Sequence, residues 1–196
     1  MVRVKFGIMP NSAVTDPMPK SAASNTQQIV VGFCLAALVI MLDQWSKSLA
    51  SAMLEYRVPV ALTNWFDLML AHNSGAAFSF LANSGGWQRW FFAAIAVLVS
   101  VVISVWLCRL PPRRWLLTSA LGLVLGGGLG NLWDRLEHGY VVDFIALHYG
   151  SWYWPAFNLA DSAISLGACL LIIDSLKNAS QGAPAVSESK DEMSGR

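Results

Sequence analysis

Charge is what this sequence has least of. Lysine, arginine, aspartate and glutamate together make up 13% of its 196 residues, against roughly 25% in an ordinary soluble domain. Thirteen cations offset twelve anions, for a formal net charge of +1. That balance excludes a strongly basic nucleic-acid binder, and with 55% hydrophobic residues it excludes a disordered chain and a coiled coil. Cysteine is scarce as well. Cys34, Cys108 and Cys169 lie in apolar stretches without CxxC spacing, so they are expected to be three small buried hydrophobes rather than a disulfide framework or a metal site. The three histidines, His72, His138 and His148, form no HExxH pattern, and no GxSxG elbow is present. No glycine-rich loop ends in Lys-Ser or Lys-Thr. Zincin, serine-hydrolase and P-loop chemistry lose their sequence signatures.

What is there is a set of charge-free runs. No formal charge falls between Lys20 and Asp43, Arg89 and Arg109, Arg114 and Asp134, or Asp161 and Asp174. A bilayer core takes about 20 predominantly apolar residues in a helix. The reading is four transmembrane spans, at about 29–49, 90–108, 115–132 and 157–173. A secretory signal peptide is the alternative for the first, because Ala50-Ser51-Ala52 resembles a cleavage site. The long preceding tail and the polar pair Asp43 and Lys47 argue against it.

Between the spans the composition changes. Residues 53–86 carry strand-like segments at Arg57–Val60 and Trp65–Leu70, with turns at Asn73-Ser74-Gly75 and Asn83-Ser84-Gly85-Gly86. Residues 133–156 read as a second extramembrane loop. Residues 1–27 and 177–196 read as flexible tails. Arg109, Arg113 and Arg114 sit in one short loop, which the positive-inside rule places in the cytoplasm. Both termini then lie inside, and 53–86 and 133–156 share the outer face. The fold expected is an all-α membrane bundle of four transmembrane helices with a small β-rich cradle on its outer face.

Ionisable residues in or beside a span are costly and tend to be paired or functional. Asp43, Lys47, Asp134, Arg135, Asp143 and Asp161 all fall toward the outer ends of their spans. Two readings stay open for each. Asp43 and Lys47, four apart, make a self-neutralising pair on one helix face. Asp134 and Arg135 make a local ion pair. Asp161 caps its helix, or it joins Asp143 in a two-carboxylate site where one proton is shared and general acid meets general base. The run Gly126-Gly127-Gly128-Leu129-Gly130 either lets helices approach closely or leaves backbone open near a site.

Five motifs then occur in order: Asp43-Gln44-Trp45-Ser46-Lys47; Asn73-Ser74-Gly75-Ala76-Ala77-Phe78; Gly127 through Arg135; Gly139-Tyr140-Val141-Val142-Asp143-Phe144; and Phe157-Asn158-Leu159-Ala160-Asp161-Ser162. In this the sequence resembles the lipoprotein signal peptidase (signal peptidase II) family of bacterial membrane aspartic proteases. Only the long amino-terminal tail is unusual for the family. The resemblance implies a peptidase domain over residues 28–176 in the inner membrane. It implies cleavage of prolipoproteins before a diacylglyceryl-modified cysteine, by water activated between Asp143 and Asp161. Asp43, Lys47, Asn73, Gly127, Asn131, Arg135, Asn158 and Ala160 are the matching supporting or substrate-binding positions, with Gly127 letting substrate backbone pass. It implies no metal and no cofactor. The partners implied are lipidated prolipoproteins and membrane lipids, with no nucleic acid and no need for more than a monomer. A small transporter, an acyl or glycerolipid transferase using the histidines, and a non-enzymatic assembly protein are the rival classes.

Overall fold

The computed structural model describes residues 20–75 and 86–181. Four helices, α1 (Lys20–Met53), α2 (Trp87–Cys108), α3 (Trp115–Glu137) and α4 (Leu159–Gln181), are joined by four strands. The strands are β1 (Val60–Ala61), β2 (Phe66–Asn73), β3 (Val141–Tyr149) and β4 (Trp152–Tyr153). All four helices are long and apolar enough to cross a membrane. The strands form one antiparallel sheet in the order β1-β2-β3-β4. This is the helical bundle with a small β cradle that the charge-free runs and the strand-like insert predict.

Helix α3 is the centre of the bundle and packs against the other three. Leu107 and Leu110, at and after the end of α2, join Ala36, Leu117, Leu121 and Leu125 in a tightly packed apolar cluster. Elsewhere large apolar side chains face outward, Leu98 at 64% and Ile172 at 60% exposure among them. That inversion is expected where the solvent is hydrocarbon. It also corrects one expectation. Cys34, Cys108 and Cys169 are exposed on the protein surface rather than buried, because an apolar span turns much of its side-chain surface to lipid.

The element boundaries differ from the sequence reading in three places. Helix α1 begins at Lys20, so it takes in residues assigned to the tail. Ser21 to Gln28 contain no proline or glycine, and fully buried Gln28 anchors this end. Its amide donates to Pro111 O at 3.2 Å, and its carbonyl accepts the Arg114 N–H at 3.0 Å. Helix α4 likewise continues to Gln181. The segment 133–156 is no simple loop. Its first residues finish α3, and Val141–Tyr149 is a nine-residue strand paired with β2. The β-branched and aromatic side chains of that segment favour this pleated surface. The turn at Asn73–Gly75 is present, with Asn73 Oδ1 accepting the Gly75 N–H at 2.9 Å and Gly75 at φ 105°. Of the second turn, residues 83–85 lie outside the described residues, as do Ala76, Ala77 and Phe78.

Two features of the sheet place Asp143 and Asn158. Asp143 pairs across to Ala71, which sets it beside Asn73 on β2. Phe157, the residue before Asn158, exchanges backbone hydrogen bonds with Ile145 at 2.9 and 3.0 Å. The start of α4 is thereby tied to β3.

Candidate active site

Helix α4 opens with a reciprocal cap. Asn158 Oδ1 accepts the Asp161 N–H at 2.9 Å, and Asp161 Oδ2 accepts the Asn158 N–H at 3.3 Å. This is a capping box built from Asn and Asp. The capping role considered for Asp161 is therefore present, and it uses only one of the two carboxylate oxygens. The other, Oδ1, accepts Asn131 Nδ2 at 2.7 Å from α3.

Asp143 is held in a parallel way. Its Oδ1 accepts Asn158 Nδ2 at 2.7 Å and its Oδ2 accepts Asn73 Nδ2 at 3.0 Å. Asp143 is 2% exposed. Burial foremost, with the nearby Asp161 charge added, pushes its pKa up to about 7. The amide donors and the distant Lys47 charge act in the opposite direction. Asn158 thus touches both aspartates, one through its amide and one through its carbonyl, and β3 and α4 deliver them to the same place.

Behind this pair lies a second set of buried charges. Lys47 Nζ meets Asp43 Oδ2 at 2.7 Å, Asp134 Oδ2 at 3.0 Å and Asn131 Oδ1 at 3.0 Å. Lys47, Asp43 and Asp134 are all 3% exposed or less. The helix-face pairing of Asp43 with Lys47 is present, and each carboxylate does more besides. Asp43 Oδ1 accepts the Ala160 N–H at 2.9 Å, joining α1 to the first turn of α4. Asp134 Oδ2 accepts the Val142 N–H at 3.0 Å, joining α3 to β3. The expected Asp134–Arg135 pair is not what forms. Adjacent residues on a helix point about 100° apart, so Asp134 turns inward to Lys47 while Arg135 donates to Asn131 O at 3.1 Å. Arg135 also lies over the Phe92 ring, 5.5 Å from its centroid. Gln44 was not singled out by sequence. Its amide donates to Asp134 Oδ1 at 2.8 Å and to Gly130 O at 3.2 Å, and its place within the Asp43–Lys47 motif was the available signal.

Asp161 opens onto a cavity of about 310 Å³. Phe92, Ile95 and Val99 of α2 face Val124 of α3 and Ile164 of α4 across it, and Asn131, Arg135 and Asp161 form its polar end. The glycine lining this cavity is Gly128. Gly127 serves close packing instead. A Cβ there would overlap the Ala160 carbonyl and stand 2.7 Å from Ile164 Cγ1. Among the described residues, no group of three His, Cys, Asp or Glu side chains has a metal-holding arrangement.

A family model described as signal peptidase (SPase) II matches residues 35–177. The lipoprotein signal peptidase of Teredinibacter turnerae is 55% identical over 142 residues, 72% of this chain and 84% of that protein. The lipoprotein signal peptidase of Acinetobacter baumannii is 53% identical over 140 residues, 71% of this chain and 80% of that protein. A bacterial membrane enzyme solved by the in meso method at 2.3 Å resolution superposes with a TM-score of 0.70 at 26% identity, covering 80% of this chain and 93% of that one. With four spans, a β cradle and these relatives, the chain belongs to the lipoprotein signal peptidase (signal peptidase II) family of membrane aspartic endopeptidases.

Proposed function

We propose that this enzyme removes the signal peptide of diacylglyceryl-modified prolipoproteins, cutting before the lipidated cysteine, with Asp143 and Asp161 as the catalytic pair. The observation that carries the reading is the Asn158 bridge, which donates to Asp143 and receives the backbone N–H of Asp161. Asp143, with its pKa pushed up to about 7, starts protonated and acts as the acid. Asp161 starts ionised, steadied by the Asn131 amide and the Asn158 N–H, and acts as the base.

Asp161 takes one proton from a water whose oxygen attacks the scissile carbonyl carbon, while Asp143 gives its proton to the carbonyl oxygen. The product is a neutral gem-diol. On collapse the C–N bond breaks and Asp161 returns its proton to the leaving amine. One diol hydroxyl returns a proton to Asp143, so both carboxyls recover their starting states. At the polar end of the cavity Arg135 binds substrate backbone, while Asn131 holds Asp161. The apolar walls from Phe92 to Ile164 take the hydrophobic part of the signal peptide.

The short loop holding Arg109, Arg113 and Arg114 places one end of the bundle in the cytoplasm. The dyad is at the opposite end, so the sheet and the site lie at the outer face and both termini lie inside. The enzyme acts as a monomer in the inner membrane. The transporter reading loses its support because Asp43, Lys47 and Asp134 satisfy one another within the fold. The test uses purified protein in detergent with two synthetic prolipoprotein peptides, one carrying the diacylglyceryl cysteine and one unlipidated. Cleavage of the lipidated peptide alone, with a mass placing the cut immediately before cysteine, is the expected result. Failure to cut it, or equal cutting of both, would overturn the assignment.

A further inference from the structure

The site holds four carboxylates, Asp43, Asp134, Asp143 and Asp161, and four side-chain amides that touch them, Gln44, Asn73, Asn131 and Asn158. An amide has unlike ends, and whichever end faces the base decides whether the base is stabilised or repelled. Lys47 is a donor only. Its three ammonium protons match three acceptors, Asp43 Oδ2, Asp134 Oδ2 and Asn131 Oδ1, at 2.7, 3.0 and 3.0 Å. Because Asn131 presents oxygen to Lys47, its NH₂ end points the other way and meets Asp161 Oδ1 at 2.7 Å. Asn158 Nδ2 also approaches Asn131 Oδ1, at 3.1 Å, but the same NH₂ group is shared with Asp143 Oδ1 and Val142 O.

We infer that Lys47 is a positioning residue for the catalytic base: it occupies the two structural carboxylates and pins the Asn131 oxygen, so that the Asn131 amide is reserved for Asp161. Without the ammonium, Asp43 and Asp134 become unpaired buried carboxylates beside Asn131. They then compete for its NH₂, and the rotated amide turns its oxygen toward Asp161. The lysine acts on the reaction through Asn131 without touching substrate. Other charged groups facing this region are Arg135, within Coulombic reach of Asp134, Asp143 and Asp161, and Asp143 itself. None of them contacts the Asn131 side-chain oxygen.

This inference rests on the dyad reading, and its test separates the two. The variants are Lys47→Ala, Asn131→Ala and the double substitution, each assayed on the lipidated peptide across pH. Lys47→Ala is expected to lower kcat by about 100-fold, the scale of losing one aligned donor to a reacting charge, with KM within about threefold. Because the ionised base has lost its donor, more alkaline solution is needed to ionise it. The acid limb of the kcat profile therefore moves to higher pH by about one unit. In the Asn131→Ala background, Lys47→Ala is expected to add nothing to the kcat loss. Ethylammonium entering the polar cavity of about 410 Å³ that Lys47 lines restores activity to the single variant and not to the double.

Asp43→Asn keeps the Lys47–Asn131 bond and is expected to lower the Tm while leaving the acid limb in place. If Lys47→Ala does not fold, Lys47→Gln, one atom too short to reach Asn131, replaces it with the same expectations. Losses that add in full in the double variant, or an unmoved acid limb, overturn the positioning role. Full activity in Asp161→Asn would instead overturn the dyad beneath it.

Discussion

Asn158 Nδ2 donates to Asp143 Oδ1 at 2.7 Å, and the residue making that bond is the N-cap of α4. The helix start and the proposed catalytic pair are therefore one piece of hydrogen bonding. The cap fixes Asn158, Asn158 fixes Asp143 and Asp161, and the Phe157–Ile145 backbone pair keeps β3 from moving away.

Capping and catalysis can be separated at this residue. Serine caps helices as well as asparagine does but is too short to reach Asp143. Asn158→Ser keeps the cap but takes the buried donor from Asp143 Oδ1 and the Val142 carbonyl. The Tm is therefore expected to fall by the equivalent of about 1–3 kcal/mol for those lost bonds, while the helix start persists. It is expected to lower kcat by about 100-fold on the lipidated peptide. Thermal unfolding and cleavage kinetics on the same sample check both halves.

Asp143 sets a pH dependence for activity and another for stability. As the proposed acid it must be protonated, so kcat is expected to fall as pH rises through about 7. For stability, the folded pKa is raised above the unfolded value near 3.9. The folded state then holds the proton that the unfolded state has already lost. This group's contribution is neutral below about pH 4. It becomes destabilising as pH rises toward 7 and is constant above that. Unfolding measured between pH 4 and 8 should show this slope in the wild type and a flatter one in Asp143→Asn.

The two neighbouring glycines should fail differently. Gly127→Ala drives a methyl into the Ala160 carbonyl and Ile164, so α3 and α4 must separate and the Tm should fall substantially. At Gly128 the nearest atom to a new Cβ is Ser100 Oγ at 3.9 Å. Gly128→Ala should fold normally and raise KM by narrowing the cavity. Tm and KM measured for both variants distinguish the two roles.

Orientation has its own test. In a cysteine-free background, a single cysteine at position 113 should react with an impermeant maleimide only after the cytoplasmic face is opened. A cysteine at position 149, where Tyr149 is 87% exposed, should react from outside in intact cells.

The four spans were legible because charge-free runs of about twenty residues are rare outside membrane helices, and the five motifs pointed to the pair Asp143 and Asp161. The rest was hidden for physical reasons. Val141–Tyr149 follows a helix end and a glycine turn, and only its pairing with β2 declares it a strand. Asp134 and Arg135 are neighbours in sequence, yet helix geometry sends one to Lys47 on α1 and the other to a backbone carbonyl. Gly127 and Gly128 are indistinguishable by type. Which one faces α4 depends on the rotation of α3, which packing sets. The amide orientations of Asn131 and Asn158 follow from partners on four different elements, information that no local pattern holds.

The proposed mechanism needs two aspartates acting together. Asp143→Asn and Asp161→Asn, each purified in detergent with Tm confirming the fold, are given the lipidated prolipoprotein peptide and cleavage is followed by mass. Loss of cleavage by at least about 10⁴-fold in each folded variant is predicted, because neither acid nor base can be replaced by an amide. Substantial cleavage by either one would contradict the two-aspartate mechanism.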